Sequence, residues 1–282
     1  MKSLYEAILD ATNRHSVGKS IDNNIIEEIE KFLNANYRIS NAKVYHSGNM
    51  FVVDGDDIEV TNYDITELTN KQFVFGKCAN FCCEYCDNIE NLDGSPQVVT
   101  GDFICSICDS LTTLKGAPNK VGGQFSCDSC RLIKTLEGAP KEVGGDFYCI
   151  NCKSLESLKG APKKVGGSFS CNGCNSLKTI VDAPKEIGGD FDCNSCIRLQ
   201  TLKGAPNKIS GHFNCSGCSS IKTLEGAPKE VGGNFCCTYC KSLESLEGAP
   251  NKVGGCFNCA NCGTKFTETE IESVCKSKNC NC

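Results

Sequence analysis

Residues 122–143 read GGQFSCDSCRLIKTLEGAPKEV, and residues 144–165 repeat them as GGDFYCINCKSLESLKGAPKKV. The step of 22 continues without insertion through all eight prolines: Pro96, Pro118, Pro140, Pro162, Pro184, Pro206, Pro228 and Pro250. Nine phenylalanines keep the same step, from Phe81 and Phe103 to Phe257. Each is followed by two cysteines: Cys83 and Cys86, Cys105 and Cys108, Cys127 and Cys130, Cys149 and Cys152, Cys171 and Cys174, Cys193 and Cys196, Cys215 and Cys218, Cys237 and Cys240, Cys259 and Cys262. A period of this length identifies stacked units, since one unit cannot bury its own apolar face and a stack can.

Within the unit, F-x-C is a period-two pair, so both side chains face one side of a short strand. The second cysteine, then Leu111 and Leu114 or their equivalents, continue the inward set around a curve, and Gly-Gly and Gly-Ala-Pro mark the corners. The pattern predicts a β-rich solenoid, a right-handed stack of about ten coils, on the order of 50 Å long at ~4.8 Å per coil. A short helical cap is expected at the N-terminus and a small helical cap at the C-terminus. The division is a cap over 1–57, the solenoid over 58–266, and a cap with tail over 267–282.

The consensus L-x-L-x-x-N/C-x-L-x-x-L-x-x-x-P-x-x-L is that of leucine-rich repeats. Phe103, Cys105, Cys108, Leu111, Leu114, Pro118 and Val121 follow it in order, with one extra residue between Cys108 and Leu111. The wording GAPKEVGGDF-x-C also resembles leucine-rich repeats of bacteriophage proteins. Cysteine stands at the second strand position and again where the family usually has asparagine. The resemblance implies a curved solenoid with a recognition role, in which the outward strand residues form the binding face, and it implies no chemistry.

The ends depart from the unit. Ile58, Val60, Tyr63, Ile65 and Leu68 match the inward pattern without cysteine. Asp54-Gly55, between Met50–Val53 and Ile58–Val60, reads as a hairpin turn. The first 36 residues look helical, with Ile25, Ile26, Ile29, Phe32 and Leu33 on one face after Asp22 as N-cap. Thr267-Glu-Thr-Glu270 is a capping-box sequence opening a helix with Ile271 and Val274. The tail KSKNCNC is expected to be mobile.

The 282 residues carry 29 basic and 34 acidic side chains, net −5, which argues against a general nucleic-acid binder. No apolar run approaches a membrane span, and the start MKSLYEAILDATNRHS lacks an apolar signal region. The expected setting is therefore the cytoplasm, or the host cytoplasm for a viral chain.

The 25 cysteines leave three readings open. They are small buried hydrophobes in a reducing compartment. Alternatively, the C-x₂-C-x₁₈-C-x₂-C formed by adjacent coils holds zinc or an iron–sulfur cluster, with all eighteen repeat cysteines as candidate ligands. Cys259-Ala-Asn-Cys262-Gly263 even carries the glycine of a zinc knuckle. In the third reading each C-x-x-C closes a disulfide. No cofactor is expected on the first reading.

A second period, of 44, appears in charge. Lys120, Glu142, Lys164, Glu186, Lys208, Glu230 and Lys252 alternate, and Lys134, Glu156, Lys178, Gln200, Lys222 and Glu244 nearly do. Stacked coils would set opposite charges beside each other. The outward residues around the phenylalanine strand supply the candidate binding face: Ile104, Tyr148 and Ile150 as apolar anchors, with Asp146, Asp190 and Asp192. Catalysis is not expected: His15, His46 and His212 lie in unrelated segments, and no phosphate loop or nucleophile elbow appears. The chain is expected to be a non-enzymatic scaffold that recognises an unidentified protein, with neither nucleic acid nor membrane as partner.

Overall fold

A computed structural model describes residues 23–47, 50–69, 73–277 and 279–281. It is a β-solenoid whose coils stack in parallel, one repeat per coil, with Phe125 beside Phe147 and Val121 beside Val143. Each coil contributes two short strands. Those at the phenylalanines, such as Phe125–Ser126, belong to a twelve-stranded sheet. Those before the Gly-Gly corner, such as Lys120–Val121, build a second ladder.

The inward set is as the period requires. Phenylalanine, both cysteines, two aliphatics and a Val or Ile are buried in coil after coil. From Phe103 to Phe257 the rings form one column, with centroids 5.1–5.5 Å apart and planes within 27° of each other. The bend that turns the second cysteine inward falls on the residue before it. Tyr85, Ile107, Ser129, Asn151, Gly173, Ser195, Gly217, Tyr239 and Asn261 all have φ between 57° and 71°. Left-handed backbone is easy for Gly and Asn and strained for Ile107.

The charge columns face as expected. Lys120–Glu142, Lys164–Glu186 and Lys208–Glu230 pair at 3.2, 3.3 and 3.2 Å, and Glu156–Lys178 and Lys222–Glu244 at 2.8 and 3.3 Å. A third column that the sequence reading missed pairs Asp93–Lys115, Glu137–Lys159 and Lys203–Glu225. These pairs are exposed, so each contributes little. Glu186→Lys would stack a lysine between Lys164 and Lys208. It is expected to cost about 0.2–1 kcal/mol at low salt and less at high salt. Equal urea midpoints of variant and wild type at low ionic strength would show that the column has no energetic role.

The second ladder is interrupted once. It comprises a six-stranded sheet ending at Glu186–Ile187 and a three-stranded sheet starting at Lys208–Ile209. Elsewhere the first corner glycine donates to the preceding coil, as in Gly166 N–H to Val143 O at 2.8 Å and Gly232 N–H to Ile209 O at 2.8 Å. A Cβ at Gly122, Gly144, Gly166, Gly188, Gly232 or Gly254 would run into the carbonyl oxygen of that coil. Ser210 carries such a Cβ. Among the described residues Ser210 N–H makes no bond to Ile187 O, nor Asn207 N–H to Lys185 O, and the bond from Gly211 N–H to Gly189 O lengthens to 3.3 Å. Thr100 occupies the same column at the first regular coil and keeps a bond to Cys78 O at 3.1 Å, where the preceding turn is irregular.

The ends bring corrections. Helix α1, Asn23–Asn36, buries Ile29 and Leu33, while the expected cap at Asp22 and the rest of the first 22 residues lie outside the described residues. Met50–Asp54 and Asp57–Val60 do not form a hairpin with each other. Met50–Asp54 pairs antiparallel with Lys43–Ser47, and Asp57–Val60 pairs antiparallel with Tyr37–Ile39 and parallel with Asn80–Cys82. Asp54-Gly55 is thus a coil corner crossing between sheets, for which the same turn residues serve. Tyr63 points outward, exposed beside Tyr85 with centroids 6.1 Å apart, because this first turn is irregular. Helix α2, Glu268–Val274, has the expected capping box, with Ile271 buried and Val274 exposed. The tail expected to be mobile instead adds the last strand, Asn279–Asn281, parallel to Cys256–Asn258, with Cys280 in register with Phe257. Among the described residues no helix is long and apolar enough to cross a membrane.

Candidate functional site

No disulfide joins the repeat cysteines from Cys83 to Cys240, whose side chains are free, as is that of Cys262. Their two positions do different work. At the left-handed bend the carbonyl of the first cysteine leaves the sheet ladder and lies inside the coil, where water cannot reach it. The second cysteine of the next coil supplies the donor. Cys108 Sγ donates to Cys83 O, Cys130 to Cys105, Cys152 to Cys127, Cys174 to Cys149, Cys196 to Cys171, Cys218 to Cys193, Cys240 to Cys215 and Cys262 to Cys237, at 3.0–3.3 Å. A buried carbonyl left without a partner would cost free energy, which accounts for a donor in every coil. The sequence signal for this role is the recurrence of the second cysteine in every coil.

The first cysteine is mainly packing. Cys105 Sγ approaches Ser126 O at 3.4 Å, but that carbonyl already accepts the Cys105 N–H at 2.8 Å. Burial pushes the Cys105 thiol well above its usual range, and burial lifts Cys78 and Cys86 to about 12. Among the described residues no three Cys, His, Asp or Glu side chains converge as metal ligands.

A crossover in mutant stability follows. Cys174→Ser keeps a donor towards Cys149 O and is expected to cost less than about 1 kcal/mol, whereas Cys174→Val orphans that carbonyl and costs about 1–3 kcal/mol. At Cys171 the order reverses: valine suits the apolar site, and a serine hydroxyl costs about 1–3 kcal/mol. Urea unfolding of the four variants reads this directly. Equal losses for Cys174→Ser and Cys174→Val would mean that the S–H bond contributes nothing.

The outer face of the twelve-stranded sheet holds the six residues expected to bind a partner, all half-buried: Ile104, Asp146, Tyr148, Ile150, Asp190 and Asp192. Tyr148 and Ile150 lie in one coil. Ile104 lies two coils away, with Ser126 in register between it and Tyr148. The aspartates are occupied by their own chain. Asp102 Oδ1 accepts the Gln124 N–H, Asp146 Oδ1 the Ser168 N–H and Asp190 Oδ1 the His212 N–H, at 2.7, 2.7 and 2.6 Å. His212 Nδ1 continues the column by accepting the Asn234 N–H at 2.8 Å. Asp192 accepts from Asn194, and burial raises its carboxyl above the usual range. Tyr148 O–H donates to Asp146 Oδ2 at 2.8 Å, which fixes the ring on the face.

A polar recess of about 280 Å³ lies at the N-terminal end, lined by Thr66, Glu67, Leu68, Thr69, Asn91, Asp93 and Gly94. Its Asp93 carboxylate is paired with Lys115. No protein-family model, no curated protein and no solved structure matches the chain.

Proposed function

We propose that the chain is a non-enzymatic scaffold for protein–protein recognition, built on coils of the leucine-rich-repeat type. The supporting observation is a contrast between faces. Beneath the part of the twelve-stranded sheet that runs from Phe81 to Phe257, phenylalanine and cysteine are constant. Above it, one register column runs Cys82, Ile104, Ser126, Tyr148, Ser170, Asp192, Asn214, Cys236 and Asn258. A constant interior holds the backbone still while varied outward side chains carry specificity. Tyr148, oriented by Asp146, is an anchor that loses little entropy on binding. The partner we infer is a protein, and the buried free thiols suit a reducing compartment such as the cytoplasm, the host's for a viral chain.

Parallel capture from lysate with immobilised wild type, Tyr148→Ala and the distant Glu247→Ala tests the reading. Tyr148→Ala is expected to lose the captured protein and keep its stability within about 0.5 kcal/mol, as for a surface change. Glu247→Ala should retain the protein. Equal capture by all three would remove the case for this face.

A further inference from the structure

The solenoid has a second exposed face, over the strands before the Gly-Gly corner, and its two columns are built on opposite rules. One is the alternating Lys–Glu column. The other, one residue earlier, runs Gln97, Asn119, Lys141, Lys163, Lys185, Asn207, Lys229 and Asn251, with no acidic residue in it. From Asn119 to Lys185 these residues stack directly, since Lys141 N–H donates to Asn119 O, Lys163 N–H to Lys141 O and Lys185 N–H to Lys163 O, at 2.8, 2.9 and 3.3 Å, and beyond the interruption the column resumes with Lys229 N–H donating to Asn207 O at 2.8 Å. Three lysines therefore lie side by side at the coil spacing of ~4.8 Å, an arrangement that repels itself.

We propose that the column Lys141, Lys163, Lys185 and Lys229 is a docking row for an extended acidic segment of a partner polypeptide. Alternation next door shows that these coils can neutralise a column, and this one is left positive. The three glutamates of the face are taken by Lys120, Lys164 and Lys208. Among the described residues Lys141, Lys163 and Lys229 have no carboxylate partner, and Lys185 donates only to backbone, to Gly204 O at 3.1 Å and Val181 O at 3.5 Å. A positive row thus persists on a chain of net charge −5. Such local segregation steers an oppositely charged partner.

The chemistry favours carboxylates over nucleic acid. These columns contain no aromatic residue on which bases could stack and no arginine fork to grip a phosphate. Flexible lysine stems can follow the carboxylates of an extended chain, whose side chains on one face repeat at about 6.8 Å. The row uses none of the outer-face residues, so its failure leaves the recognition reading of that face standing.

The test is binding of labelled poly-L-glutamate to the full chain, followed by fluorescence anisotropy at ~0.01 M and ~1 M salt. We expect binding at low salt that is lost at high salt. The triple variant Lys141→Gln, Lys163→Gln, Lys229→Gln should bind roughly tenfold more weakly. It should also melt at the same or a higher temperature, because like-charge contacts are removed. A control that removes the same charge elsewhere, Lys134→Gln, Lys178→Gln, Lys222→Gln, should bind like wild type. No binding at low salt, equal loss in both triple variants, or destabilisation of the first would overturn the proposal. So would tighter binding of oligo-dT or of phosphatidylserine vesicles than of polyglutamate.

Discussion

Phe169→Ala is expected to cost about 3–5 kcal/mol, the range for removing a buried aromatic ring. Phe169 is fully buried in mid-column, with ring centroids 5.3 Å from Phe147 and 5.5 Å from Phe191. The loss falls on two coil interfaces at once, and a solenoid is held by its nearest-neighbour interfaces. Urea unfolding should therefore separate into two transitions, with the coils on either side of Phe169 melting independently. Phe169→Leu, which fills most of the space, should keep one transition. A loss below about 1 kcal/mol for Phe169→Ala would mean that the neighbouring coils close over the gap.

Gly166→Ala is expected to lower stability by about 1–3 kcal/mol by breaking two inter-coil hydrogen bonds. The added Cβ would meet the Gly144 carbonyl oxygen, so the bond from Gly166 N–H to Val143 O must open. The chain already contains this experiment at Ser210, where the ladder between Ile187 and Ile209 is interrupted. Ser210→Gly should reverse it and gain up to about 1–2 kcal/mol from the recovered bonds. Hydrogen exchange gives a local readout: the Ser210 and Asn207 amides should exchange fast in the wild type and slow down in Ser210→Gly. Slow exchange at Ser210 in the wild type would show that the ladder is closed there.

The candidate sites were legible to different depths. The outward set around Tyr148 could be read from the strand period, because a period of two assigns faces without further information. The occupation of Asp146 and Asp190 by backbone N–H groups one coil away could not. It depends on where the corner points those groups, which the spacing of polar residues does not encode. The ion pairs of the Lys120 column were legible because register follows the repeat. The uncompensated lysine column beside it was overlooked because its members make no alternating pattern.

By itself the sequence determined the solenoid, its period, its inward phenylalanine and cysteine columns and its ladder of opposite charges. An unbroken 22-residue period leaves a single register in which every apolar position meets its own copy. The tertiary structure alone decided that the second cysteine donates to a buried carbonyl, that Ser210 interrupts the second ladder, and that Asn279–Asn281 closes the sheet. It also decided that Asp54-Gly55 crosses between sheets. Each of these depends on the orientation of backbone groups brought together from different coils. Local pattern cannot carry that information, because an N–H, a carbonyl and a turn dipeptide look the same in the sequence wherever they point.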